Sequence, residues 1–223
     1  MIEVTAKNVK NGIGVILIFG ILLILLVTYL NLKADVVNIV DLFLLSVCMI
    51  GILIGYLKGS EPSVILTLED NELIYHHRYG HWRLVYSNIL RVGIPKVSKG
   101  LEYKSLSYIG VSLVDLDDFL QGLHPRIAGK LLIEQRSLLR LAIVRECPDG
   151  TCPSDMVFDD VEYKSPAGVK YTGLIAMFAN RMVNMKRLLG YELYIPTNTL
   201  DDDIDKVLAL LRQVKTNQPL KKI

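Results

Sequence analysis

The sequence predicts an α+β protein: a two-helix transmembrane hairpin, then a β-rich domain that carries a helical insertion and closes on an amphipathic helix. Three patterns predict it. Two long apolar runs, about 13–30 and 39–57, flank one short polar break at Asn31 to Asn38. From Ser63 the apolar period changes to two, the signature of strands with one buried face. The last strongly periodic stretch starts with Asp201, Asp202 and Asp203, carries Ile204, Val207, Leu208 and Leu211 on one stripe, and ends in Arg212 and Lys215.

The apolar runs fix the first unit, residues 12–58. The first run holds no charge and the second only Asp41, near its start. At about 1.5 Å per helical residue, runs of roughly 17 to 20 residues cross a hydrocarbon core about 30 Å thick. Residues 1–11 form a polar flank with Lys7 and Lys10, which also resembles the start of a signal peptide. The apolar run is longer than a signal core and a second span comes directly after it, which favours an uncleaved helix. Lys7, Lys10 and Lys58 lie on one side and Lys33 on the other, so the positive-inside rule puts both termini in the cytoplasm and the short loop outside. Asp41 then reads as a helix-start acid at the outer interface. Gly51 and Gly55 have small-xxx-small spacing, with Gly20 at similar depth on the first helix. That spacing suits either packing within the hairpin or a seam between two copies, so a homo-oligomer stays open. The lipid bilayer is the partner that composition implies most directly.

The remaining composition excludes several classes. The hairpin accounts for much of the 51% hydrophobic content, and the rest of the chain has the ordinary composition of one soluble domain. A formal charge of +2 without long basic blocks argues against nucleic acid. Cys48 lies inside the second run, while Cys147 and Cys152 bracket Pro148-Asp149-Gly150. A Cys-x4-Cys with no histidine nearby supplies two of zinc's four ligands, so these are expected as free thiols in an exposed cytoplasmic loop. His76 and His77 on one strand face opposite ways, so at most two of His76, His77 and His81 could converge without a bulge, which argues against a metal. The acid clusters Asp115/Asp117/Asp118 and Asp201/Asp202/Asp203/Asp205 sit where helices start. No phosphate-binding loop, nucleophile elbow or dinucleotide fingerprint is present. The residues therefore imply no enzyme, no catalytic residue, no metal and no cofactor.

Strands are predicted at Val64–Leu68 and Leu73–Arg78, then, across a Gly80-His81 turn, from Trp82. That turn pairs Tyr79 with Trp82, His77 with Leu84 and Tyr75 with Tyr86 on the inner face, and Arg78 with Arg83 on the outer. Ile89–Val97 and Tyr108–Val114 continue the sheet. The insertion, about 117–190, holds a short helix with Asp117 or Asp118 near its N-cap, and an amphipathic helix from Pro125 to Arg140. Another helix, Tyr171–Leu189, stops at Gly190. Tyr191–Ile195 is the last strand, and residues 216–223 a fraying tail.

Leu66-Thr67-Leu68, Leu73-Ile74-Tyr75 and Trp82 to Ile89 resemble the opening of bacterial PH-like domains. Tyr191 to Pro196, with Leu200 and the acid-started helix, resembles their close. The whole chain is similar to an uncharacterised bacterial membrane-protein family with two N-terminal spans and such a domain; Tyr108-Ile109-Gly110-Val111 and Pro125 to Arg136 also look like that family. The resemblance covers roughly 60–215. It implies a PH-like domain over 60–215 with a helical insertion, in a multi-pass protein of the bacterial inner membrane, and no assigned activity. One departure matters: the loop where phosphoinositide-binding relatives carry basic residues is here Glu69-Asp70-Asn71-Glu72, which repels phosphate.

Arg78 and Arg83, with His76 and Arg91, are the candidate contacts for anionic lipid or an acidic partner; the plainer reading is a solvated surface with acids nearby. The expected function is a non-catalytic, membrane-anchored interaction or scaffolding module with an unidentified protein partner. The second reading is an accessory or lipid-sensing subunit of a transport or envelope system.

Overall fold

The computed structural model describes residues 2–5, 12–33, 38–60, 62–99, 102–146, 160–201 and 203–216. They form two compact units, Ala6–Ser63 and a second made of Met1–Thr5 with Val64–Ile223. In the first, α1 (Gly12–Lys33) and α2 (Ile39–Gly59) are long and apolar enough to cross a membrane. Most of their apolar side chains point outward, while Gly12, Cys48, Gly51 and Gly55 are buried. Asp41 is a helix-start acid: its Oδ2 accepts the Asn38 N–H at 3.0 Å and lies 3.8 Å from Lys33 Nζ. The carboxylate satisfies an orphan donor of α2 and takes its counter-ion from the end of α1.

In the second unit, β1 (Ile2–Thr5) pairs with β2 (Val64–Leu68), so the helical hairpin is inserted between two neighbouring strands. The reading of residues 1–11 as a polar flank contains no strand; a four-residue strand leaves too short an alternation to stand out. β3 (Glu72–His77) and β4 (Gly80–Val85) complete an antiparallel sheet in the order β1-β2-β3-β4. The register corrects the predicted hairpin. His77 pairs with Gly80, His76 with His81, Tyr75 with Trp82 and Ile74 with Arg83. The loop is therefore Arg78-Tyr79, and Arg78 does not face Arg83. Gly80 still meets the turn's demand for an unusual backbone, with φ +146° just past the loop. The inner face keeps its residues because the slip moves the loop by two positions, a whole strand period. Trp82 is buried there, stacked on Tyr75 (centroids 5.1 Å apart) and edge-on to Phe119 (5.8 Å).

A 3-10 turn, Tyr86–Asn88, leads into β5 (Ile89–Gly93). The predicted strand to Val97 breaks at Ile94-Pro95, since Pro95 has no N–H to give a ladder. The chain then makes an unpredicted hairpin of β6 (Lys96–Lys99) and β7 (Glu102–Ser105) before β8 (Tyr108–Leu113). The insertion holds α3 (Leu116–Gln121), α4 (Pro125–Glu134), α5 (Arg136–Glu146), a two-residue ladder of β9 (Tyr163–Lys164) and β10 (Lys170–Tyr171), and α6 (Gly173–Leu189). The single predicted helix from Pro125 is divided at Gln135, which is buried. The N-cap of α3 is Asp115, not Asp117 or Asp118: its Oδ1 accepts the Asp117 N–H at 2.9 Å. α6 ends as predicted at Gly190, in the left-handed region at φ +82°. β11 (Leu193–Pro196) pairs with β8, giving a three-stranded sheet β11-β8-β5, and α7 (Ile204–Thr216) packs on β5 and the 3-10 turn through Val207, Leu208 and Leu211.

Two buried polar side chains hold this second sheet. Asn88 Oδ1 accepts from the N–H groups of Val114 (3.1 Å) and Asp115 (2.7 Å), while its Nδ2 donates to the Asp115 carbonyl (2.8 Å) and Asp118 Oδ2 (3.0 Å). Glu192 is buried with Oε1 2.6 Å from Lys186 Nζ and Oε2 accepting the Leu113 N–H at 3.2 Å. Removing the first bracket takes its partner from the Asp115 N–H and carbonyl and from Asp118, while the Val114 N–H keeps the Asn88 backbone carbonyl at 2.9 Å. Asn88→Ala is expected to cost about 1–2 kcal/mol, and denaturant unfolding of the full chain followed by the emission of Trp82, its one tryptophan, measures it; an unchanged midpoint contradicts the bracket.

Candidate functional site

The open end of the β3–β4 hairpin collects the chemistry. The loop brings Arg78 and Tyr79 together, with the guanidinium 5.7 Å from the Tyr79 ring centroid. Alternation sends His76 and His77 to opposite faces. His77 Nε2 meets Glu134 Oε1 of α4 at 2.9 Å, its Nδ1 accepts the Tyr79 N–H at 3.2 Å, and Lys130 of α4 lies 4.1 Å from the Tyr79 ring centroid. These contacts clamp the turn to the insertion. They were not legible because His77 and Glu134 are 57 residues apart and neither belongs to a motif. The same carboxylate adds to burial in holding the Tyr75 hydroxyl well above its usual range.

On the opposite face, His76 Nε2 lies 2.9 Å from Thr67 Oγ1. Burial, and then the neighbouring His81, push its pKa below the ordinary 6.5, while Glu3 and Glu69 work the other way. Arg83 shares this face and sits 3.7 Å from Glu72. Arg83 is open to water and Glu72 partly so, and at 3.7 Å the pair contributes little. Arg91 belongs to the other sheet. Its Nη2 donates to the Gly190 carbonyl at 2.7 Å and its guanidinium lies 4.6 Å from the Tyr191 ring centroid, which ties β5 to the end of α6. The four candidate residues are thus divided: His76 and Arg83 share a face with Glu3, Glu69 and Glu72, Arg78 occupies the turn, and Arg91 serves the fold.

The hairpin glycines are divided as well. A Cβ on Gly51 would meet the Phe19 ring at 2.3 Å, and one on Gly55 would meet Ile16 Cγ1 at 2.7 Å and the Ile16 backbone nitrogen at 3.0 Å. Both therefore seat α2 on α1. A Cβ on Gly20 would meet nothing within 4 Å; the glycine that α1 contributes is Gly12, where a Cβ would lie 2.7 Å from Gly59 N.

Other candidates take structural roles. Asp115 caps α3, and Asp203 Oδ1 accepts the Asp205 N–H at 3.3 Å beside α7. Asp117 is buried near Tyr171, whose hydroxyl is pushed up to about 12 by burial first and by the Asp117 carboxylate second. Among the described residues no group of three or more His, Cys, Asp or Glu side chains is placed to hold a metal ion. Cys147 and Cys152 lie outside the described residues.

Residues 66–217 match the family described as "Protein of unknown function (DUF2982)". No curated protein and no solved structure matches the chain.

Gly55→Leu is expected to lower the thermal midpoint of the detergent-solubilised chain while Gly20→Leu leaves it in place, since Gly55 faces backbone and Gly20 faces open space; equal effects would remove Gly55 from the seam. The depressed His76 pKa means that the unfolded chain binds the proton more readily, so the stability at issue is complete above about pH 6.5 and is lost as pH falls through the folded value. Urea midpoints measured across that range should decline, and the decline should flatten in His76→Gln.

Proposed function

The chain belongs to this family of unknown function, and from that footing we propose that it is a membrane-anchored PH-like interaction module of a bacterial inner membrane, non-catalytic and built to hold a protein partner at the bilayer. The observation that carries this reading is the order of strands. Without its insertions, the second unit is four strands in meander order, then β5, β8 and β11 in meander order, then one C-terminal helix. This layout supports the PH-like reading. Its insertions fall between β1 and β2 (the two spans), between β5 and β8 (β6–β7), and between β8 and β11 (α3 to α6).

The first insertion also bears on topology. Both ends of a two-span insertion leave and rejoin one sheet, and an even number of crossings keeps them on one side of a bilayer. Lys7, Lys10 and Lys58 at those ends, against Lys33 at the loop, favour the cytoplasm for that side. The non-catalytic reading is supported by what these polar groups do: buried Asn88, Glu192 and Tyr194, and the exposed cap Asp115, are taken up by backbone groups of the fold.

Cysteine labelling in intact cells tests the topology: a probe at Lys33 is expected to react with an impermeant reagent and one at Thr216 to stay unlabelled. The reverse pattern inverts the arrangement. Co-purification from native membranes tests the module: partners retained when the two spans are exchanged for an unrelated hairpin place recognition in the sheet domain, and partners lost on that exchange place it in the spans.

A further inference from the structure

α5 has two apolar faces, and the fold uses one. Leu138, Leu139 and Ala142 are buried against Val97, Met185 and Tyr194. On the opposite side an open concavity of about 680 Å³ runs along the helix. Its floor is apolar: Val144 is 62% exposed, Leu141 37%, and Ile133, at the end of α4, 68%. At 100° per residue, Ser137, Leu141 and Val144 form the centre of this strip. Arg140 falls on one flank and Arg145 on the other. None of the described residues lining it is acidic; the nearby Glu134 is directed at His77.

We propose that this face of α5 lies in the headgroup region of the anionic membrane that the chain's own spans cross, with Val144 and Leu141 at the acyl boundary and Arg140 and Arg145 on lipid phosphates. The inference rests on the membrane-anchored reading above. An apolar strip with arginine on both edges is the pattern of helices that lie in a bilayer interface, where long basic side chains reach the phosphates while their stems cover apolar surface. Each such charge strengthens association with an anionic surface about five-fold. Anionic lipid is favoured over an acidic protein because two short linkers, residues 6–11 and 60–63, tie this domain to both ends of the spans. A bilayer needs no matching shape, only charge and an apolar boundary.

The test uses the full chain with Cys48→Ala, Cys147→Ser, Cys152→Ser and Ser137→Cys, spin-labelled at position 137 and reconstituted into nanodiscs. One set is phosphatidylcholine alone, the other a mixture with phosphatidylglycerol. Incorporation into discs reports the anchorage, and the label reports the α5 face, so failure of one is distinct from failure of the other. In phosphatidylglycerol discs the label is expected to gain collisions with oxygen and lose collisions with a water-soluble nickel chelate. High salt and the Arg140→Glu, Arg145→Glu pair should each abolish the change, and Val144→Ser should reduce it, with Trp82 emission confirming the fold. A control label at Tyr103, 76% exposed on β7, should stay aqueous. A Ser137 label equally water-exposed in both lipids overturns the proposal. So does shielding that is the same in both lipids or persists in detergent, which would mean that a second copy or the chain itself covers the face, and so does shielding that appears only on addition of a protein.

Discussion

The pairing of β1 with β2 is the constraint on which the rest of the chain depends. Between these neighbours lies the whole helical hairpin, so the first strand can join its sheet only if the hairpin returns the chain to where it left. Closing a long insertion costs free energy that grows only slowly with length, but it falls on a four-residue strand, Ile2–Thr5, that buries little beyond Val4. The hairpin offsets this by bringing its own ends together. Gly12 at the start of α1 approaches the backbone of Gly59 at the end of α2, where a Cβ would lie within 2.9 Å of Gly59 Cα, and Thr5 is paired with Val64. Small residues at the open end of the hairpin therefore let its two ends close on each other. An excised domain starting at Ser60 would lack β1 and present β2 as a bare edge.

The three-stranded sheet meets the same difficulty differently. Its members are separated by a β-hairpin and by the long helical insertion, and it is pinned by polar side chains rather than by short turns. Asn88 fastens the start of β5 to the end of β8, and Glu192 fastens the segment before β11 to Leu113 of β8 while pairing with Lys186 of α6. The Tyr194 hydroxyl, 2.8 Å from the Tyr191 carbonyl and 3.2 Å from that of Met185, ties the same strand to the end of α6. Burial drives that phenol far above its usual range and keeps it a neutral donor. Tight approach completes the joint: a Cβ on Gly110 would fall 2.5 Å from the Tyr191 ring. Each bracket is satisfied, which is what allows polar atoms to specify the joint without the cost of an unmet buried group.

What could be read from the sequence tracks how local each signal is. The two long apolar helices follow from composition alone, while the αL stop at Gly190, Pro125 in the first turn of α4 and the acid-started α7 are decided within one or two turns of chain, and all stand where the sequence puts them. The β3–β4 register was decided by competition. Gly80 marks the turn, but Tyr75 stacking on Trp82 and the His77–Glu134 contact fix the loop at Arg78-Tyr79, and neither interaction has a local signature. The split at Gln135 was hidden because the apolar pattern of α4 runs on into α5 with hardly a change of phase. Periodicity put His76 and Arg83 on one face, whereas the acids that surround them come from β1 and the β2–β3 loop, and the demand on Arg91 comes from the far end of α6.

That redistribution of charge directs attention away from the hairpin and toward the insertion. A basic side chain can serve a partner only with the charge that the fold leaves over. Arg91 is committed to the Gly190 carbonyl, Lys186 to buried Glu192, and Arg83 stands beside Glu72 within an acid-rich face. Arg140 and Arg145 instead flank exposed aliphatic side chains on a helix whose other face already anchors it in the core. An exposed Val144 gains nothing from water, and a helix needs one apolar face to pack. A second apolar face framed by arginine is therefore more than the core requires, and its chemistry matches a surface that is both anionic and apolar.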